Sequence, residues 1–357
     1  MRILVIGNSK SAEILTNFLS ENKDLLVFTT KEGTDGNFID INPKDVEELK
    51  EFALANEINL SIVADIFLSD IDYFSVFGES NLAVLAPDYD AAKIASLKSY
   101  GKKFIYKNKI KTPKFAFFEK LNLALDYIRS AEYPLVIKPE GHCETETAYI
   151  AETFGAAKKQ VEKLFQNDNK KILIEEYIYG KEMSIYVLSD GFRPIVLDTF
   201  YTYRNELAVK TFLKDELKEK IYNEIIFPTI SSLAEDGLEY TGILGFDIIL
   251  TSDGEPYLIE YNSFFKDLDT EAVLRGIDED WVKLFMDAIV GTLADNFETP
   301  FSIASKDEYY GAFRFEDKTE NEIITQSART LSLLKTKLLE EGLNREDLKD
   351  AERLWNL

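Results

Sequence analysis

YTGILGFDIILTSDGEPYLIEYN, residues 240–262, is two apolar runs joined by a Ser-Asp-Gly turn, and the pattern predicts a pair of strands. The first run carries Asp247 and the second carries Glu260 and Asn262. Glu260 and Asn262 stand two residues apart, so on a strand they face the same way. Hard divalent cations such as Mg²⁺ take such oxygen ligands, often one or two carboxylates with substrate phosphates completing the shell. The same letters also read as an acidic residue that ends a strand before a loop. The segments around the hairpin decide between these readings.

Immediately upstream, Lys214 to Asp236 reads as a long helix kinked at Pro228. Before it, EMSIYVLSD and RPIVLDTFYTY read as strands meeting at Asp190-Gly191. PLVIKPE and KILIEEYI are further strands, alternating with the amphipathic helices LNLALDYIRSA and TFGAAKKQVEKLFQ. Helix, strand, helix, strand and then a meander predicts an α+β unit. Asp88 to Lys109 reads as one helix carrying Lys93, Lys98, Lys102, Lys103 and Lys107, leading to a Thr112-Pro113 turn.

The first 95 residues have a different rhythm. RILVIG, DLLVFTT, NLSIVAD and LAVLAP are short buried strands separated by helical stretches such as KDVEELKEFALANEI. That order predicts a doubly wound α/β unit with a parallel sheet. Gly7 closes the first strand, but GNSKSAEI contains one glycine, so the dinucleotide fingerprint is missing and a hydride-transfer enzyme is disfavoured. Downstream, Glu320 to Glu341 keeps helical spacing. The expected division is an α/β domain over 1–103, an α+β domain over 104–297 with a smaller lid subdomain at about 115–185, and a helical tail over 298–357.

A chain of 357 residues with 45% hydrophobic residues buries a large core. Its net charge of −23 opposes binding to a long nucleic-acid duplex, although local lysines and a metal could still hold a nucleotide. Cys143 is the only cysteine, which excludes an intrachain disulfide and fits a reducing, cytoplasmic setting. His142 is the only histidine, so sites built on several histidines are excluded. Both lie in one loop, without partners that would make them catalytic. No signal-peptide pattern or membrane-length apolar run is present, and no membrane partner is expected.

Lys98 and Lys138 come from separate segments and could neutralise the phosphates of a nucleotide; each alone also reads as a surface lysine. Glu175, Glu176, Tyr177 and Ile178 end an apolar strand, where backbone groups could meet an adenine edge, and Glu182 is placed for ribose hydroxyls. Singly, these acids read equally as solvated side chains.

In order, Lys98, the strand ending in Lys138, EEYIYGKE and the hairpin ending IEYN resemble the ATP-grasp superfamily. Within it the resemblance is to phosphoribosylamine–glycine ligase, whose Y-T-G-I-L strand stands unchanged at Tyr240 to Leu244. The resemblance implies a pre-ATP-grasp α/β domain followed by an ATP-grasp fold, with ATP and Mg²⁺ (or Mn²⁺) as cofactors. It implies phosphate contacts for Lys98 and Lys138, adenine contacts for Glu175 to Ile178, ribose for Glu182, and metal contacts for Glu260 and Asn262. Asp247 stands where the ligase family usually has glycine, and is the third expected metal contact. Small-molecule carboxylate and amine substrates are implied, joined through an acyl phosphate.

The chain also departs from the family. After Lys138 the glycine-rich lid has become PEGHCETETAYIAE, whose Glu140, Glu144 and Glu146 oppose a triphosphate. Phe264 stands at an arginine position, with Lys266 the nearest substitute. The substrate loop is shortened to YTYRNELAVKTF, leaving Arg204 and Lys210 as its cations, and the N-terminal phosphate loop has become GNSKSAEI. The family's C-terminal domain is not recognised after residue 300. Lys266 and Arg204 are therefore the candidate catalytic cations. Two expectations remain: a ligase with an altered acceptor, or a degenerate relative that binds a nucleotide or acts through interactions.

Overall fold

The computed structural model describes residues 1–141, 148–167, 171–203, 206–315, 322–346 and 348–349. His142, Cys143, Glu144, Glu146 and Arg204 lie outside the described residues. Five strands open the chain: β1 (Arg2–Ile6), β2 (Leu26–Thr29), β3 (Asn37–Phe38), β4 (Leu60–Val63) and β5 (Val84–Leu85). They pair in parallel in the order β3-β2-β1-β4-β5. Strand order reverses across β1, the doubly wound arrangement expected from the sequence. Ile3, Leu4, Val5 and Ile6 are all buried because helices cover both faces of the sheet. At the end of β1, Gly7 has φ +149°, and a Cβ there would lie 2.8 Å from the Asp65 Cβ. That close approach brings Asp65 against the start of the helix Lys10–Ser20.

Residues 88–109 form two helices, Tyr89–Ser96 and Lys98–Lys107, not the single helix expected. Leu97 is extended between them (φ −121°, ψ 105°). A Cβ on Gly101 would sit 2.4 Å from the carbonyl oxygen of Ile94, so the second helix returns closely upon the first only with glycine there. Apolar residues keep helical spacing on both sides of the break, which hides it in the sequence.

In the region expected as a lid, a separate four-stranded antiparallel sheet is built of β6 (Phe115–Phe118), β7 (Leu135–Pro139), β8 (Tyr149–Ala151) and β9 (Ile172–Glu176), in the order β6-β9-β7-β8. Helices Leu121–Ser130 and Phe154–Gln166 pack on it through Ile128, Val161 and Leu164, closing a small core of its own.

The large sheet contains β10 (Lys181–Asp190), β11 (Pro194–Tyr203), β12 (Leu207–Lys210), β13 (Thr241–Leu250), β14 (Pro256–Asn262), β15 (Tyr309–Arg314) and β16 (Ile323–Ala328). Its seven strands run antiparallel in the order β14-β13-β10-β11-β12-β15-β16. Two sequence expectations give way here. LAVK, read as part of a substrate loop, is β12. The tail, read as mostly helical, contributes β15 and β16, and only Leu331–Glu340 of the Glu320–Glu341 stretch is described as helix. The reason is tertiary: β12 offers β15 an edge, with Leu207 facing Phe313 and Val209 facing Gly311. Ile323, Ile324 and the leucines of the following helix fall at helical spacing only because strand and helix abut.

The helix expected over 214–236 is present with a π-helical turn, Tyr222–Ile226, just ahead of Pro228. The turn absorbs the hydrogen bond that proline cannot donate. Among the described residues, no helix is long and apolar enough to cross a membrane.

Candidate active site

The hairpin β13–β14 forms as the sequence indicates. Asp247 lies directly opposite Glu260, Gly245 lies opposite Asn262, and a bulge falls between Asp247 and Ile248. The amide of Asn262 donates to Asp247 Oδ2 at 3.1 Å. On the neighbouring β10, Ser184 donates to Asp247 Oδ1 at 3.1 Å, and Lys266 Nζ reaches the same oxygen at 2.6 Å. Lys266 also donates to Ser184 Oγ at 3.2 Å. Burial alone would lower the Lys266 ammonium, but Asp247 and Asp269 outweigh it and raise its pKa.

The lid delivers the second cation. Lys138, on β7, is buried and lies 3.2 Å from Glu260 Oε2 and 3.3 Å from Glu175 Oε2. Loss of hydration pulls Lys138 down, while Glu260 and Glu175 more than restore its charge and raise it. Burial likewise pushes Glu260 up, but Lys138, Lys98 and Lys266 hold it well below the usual carboxylate range. Both groups are therefore ionised at neutral pH.

Lys138 and Glu260 line a cleft of about 400 Å³ with Glu182, Asp247, Asn262 and Lys266. Lys98 stands one layer behind, in a small hollow beside Glu260, where its ammonium donates to the Gly141 carbonyl. Strand alternation turns the Glu175 carboxylate inward, 2.6 Å from Lys102, so its side chain holds lysines and only its backbone is left for the expected adenine contact. Glu176 points the opposite way and accepts the Lys114 backbone N–H at 2.9 Å. Tyr177 lies beside Glu182 and packs edge-on against Tyr179, their rings 4.9 Å apart. Phe264, at the position expected to hold arginine in the family, is buried in the core at 2% exposure.

Two site residues escaped the sequence. Lys102 is buried at 3% exposure and donates to Thr112 Oγ1 at 2.7 Å, and Thr112 in turn donates to the Leu258 carbonyl. Its spacing of four from Lys98 is a signal that could have found it. Arg314 enters the cleft from β15, its guanidinium 3.7 Å from Asp267, and among the described residues its buried Nε has no partner. No sequence signal marks it, because β15 becomes a strand only against the edge that β12 presents.

The oxygens suit a hard cation. Asp247 and Glu260 face each other with Asn262 alongside, and lysine ammonium groups already sit against both carboxylates. Among the described residues no three His, Cys, Asp or Glu side chains gather as a metal group. Two carboxylates and one amide are a partial shell of the kind Mg²⁺ completes with phosphates and water.

Residues 96–270 match the family model of the phosphoribosylglycinamide synthetase ATP-grasp (A) domain. Over those residues, just under half of the chain, the likeness is to an ATP-grasp domain. A phosphoribosylamine–glycine ligase of Clostridium acetobutylicum is 28% identical over 319 residues, covering 83% of this chain and 76% of that protein. Another, from Caldanaerobacter subterraneus subsp. tengcongensis, is 27% identical over 322 residues, covering 82% and 76%. The crystal structure of a phosphoribosylamine–glycine ligase from Thermotoga maritima superposes with a TM-score of 0.77 at 16% identity, over 95% of this chain and 96% of that one. An L-amino acid ligase from Bacillus licheniformis gives a TM-score of 0.70 at 16% identity, covering 95% and 96%. These superpositions extend the ATP-grasp likeness in fold beyond residue 300, where the sequence showed none.

Proposed function

We propose that this ATP-grasp chain is an ADP-forming carboxylate–amine ligase, like phosphoribosylamine–glycine ligase but with altered substrate loops. One observation carries the reading: Lys138, Glu182, Asp247, Glu260, Asn262 and Lys266 gather on one cleft from both the lid and the large sheet. Lys98 and Lys138 would hold ATP phosphates, the segment after β9 the adenine, and Glu182 the ribose. Asp247, Glu260 and Asn262 would hold Mg²⁺, which supplies charge neutralisation on the phosphates.

In the first step a substrate carboxylate oxygen takes the γ-phosphoryl group, giving an acyl phosphate and ADP. In the second, an amine nitrogen attacks the carbonyl carbon, the C–N bond forms, the bond to the phosphate oxygen breaks, and the amine loses a proton. Neither step needs a covalent nucleophile from the protein; positioning and charge are enough. Lys266 and Arg314 stand where cations can face the developing charge, which compensates for Phe264. Arg204, the other expected cation, lies outside the described residues.

Calorimetry with MgATP tests the reading, followed by ADP release with glycine or another amino acid and a panel of amines. Heat on titration, with ADP release that needs both substrates, is expected. Glu260→Gln should weaken MgATP by at least about tenfold with the circular dichroism unchanged. If that variant binds MgATP as tightly as the parent, the metal assignment fails.

A further inference from the structure

The helix Lys10–Ser20 opens onto the cleft through Ser9 and Ser11. A helix start holds phosphate by leaving backbone N–H groups free to point at it. Here those donors are engaged within the protein. Asp65 Oδ2 accepts the N–H groups of Asn8 and Ser9, each at 3.0 Å. Asp267 Oδ1 accepts both the N–H and the hydroxyl of Ser11 at 2.9 Å. Ala12 donates to the Ser9 hydroxyl at 3.2 Å. A phosphate brought to this helix would meet two carboxylates where it needs donors. Lys31 and Lys44 line the hollow just outside, and Lys10 is paired with Glu13. Their charges are shared with Glu13, Asp65 and Asp267 in the same hollow.

Deeper in the cleft the demand is of opposite sign. Asp269 lines it at 1% exposure, with Tyr186 donating to its Oδ2 at 2.5 Å. Among the described residues its other oxygen, Oδ1, has no hydrogen-bond partner, and neither has Thr202 Oγ1 on the same lining. Buried oxygens in this state call for a donor, and an ammonium supplies several.

We infer, resting on the ligase reading above, that the amine acceptor carries no phosphate: Asp65 and Asp267 close the helix start that would hold one, and Asp269 receives the ammonium. Asp65 is then a specificity-determining residue. An amine of this class enters as a small cation drawn by the acidic end of the cleft, and passes a proton to Asp269 before its nitrogen lone pair attacks the acyl phosphate.

The test uses the full chain and ribose 5-phosphate as the phosphate-bearing probe, read by calorimetry without nucleotide. The parent protein is expected to show no saturable heat. Asp65→Asn, which removes the charge that repels a phosphate at the helix start, should bind the probe at least about tenfold more tightly than the parent. Saturable binding by the parent that is as tight as in Asp65→Asn overturns the inference. Should that variant not fold, saturable binding by the parent at micromolar concentration overturns it on its own. In turnover with MgATP and glycine, ethylamine or ribose with ammonia should release ADP. Release only with ribose 5-phosphate and ammonia would reject the inference while leaving the ligase reading intact. Absence of MgATP heat would reject the ligase reading, and the probe titration would still stand or fall separately.

Discussion

Glu175 sits at 2% exposure between two lysine ammonium groups, 2.6 Å from Lys102 and 3.3 Å from Lys138. Burial opposes its charge, yet Lys102 and Lys138 together hold its carboxyl below the usual range. Breaking such a buried cluster by removing one partner is costlier than never having built it. Glu175→Gln should therefore lower stability by about 3–5 kcal/mol, read by urea unfolding, because Lys102 is left buried without a counter-charge. Asp269 gives the opposite pH signature. Burial lifts its carboxyl from 3.8 to about 6, against the pull of Lys266. The folded state thus holds this proton more tightly than the unfolded chain does. Stability from this group is greatest below pH 4 and falls as pH rises towards 6, by up to about 3 kcal/mol. Asp269→Asn should flatten that decline, seen as a stability gain over the parent at pH 7 that vanishes by pH 4.

At the scale of elements, legibility followed periodicity. The β13–β14 hairpin was readable because alternation, turn residues and a short connection all agree within 23 residues of sequence, 240–262. The break at Leu97 was not, because spacing continues through it and only the packing of Gly101 on Ile94 reveals it. Gly101→Ala should force the two helices apart and cost about 1–3 kcal/mol in thermal unfolding. Since Lys98 and Lys102 ride on the second helix, MgATP affinity should fall with it. Strands β15 and β16 were unreadable for a related reason: their short apolar runs become strands only against the edge that β12 presents.

For the whole molecule, the cleft is a product of assembly. Its lining comes from the first helix, the lid, the large sheet and a strand more than 300 residues into the chain. Arg314→Ala should reduce kcat/KM by about tenfold or more while leaving the Kd for MgATP within about twofold, since the guanidinium faces Asp267 and not Glu260. Equal losses in both measurements would make Arg314 a nucleotide contact.

The residues themselves determined the two-part architecture and the hairpin that carries Asp247, Glu260 and Asn262, because each depends on neighbours in sequence and on the geometry of one strand or helix. They could not show that Glu175 turns to Lys102, that Arg314 joins the site, or that Asp65 closes the first helix. Those facts rest on contacts between segments far apart in the chain, where burial and charge pairing choose a side chain's partner and local periodicity has no hold.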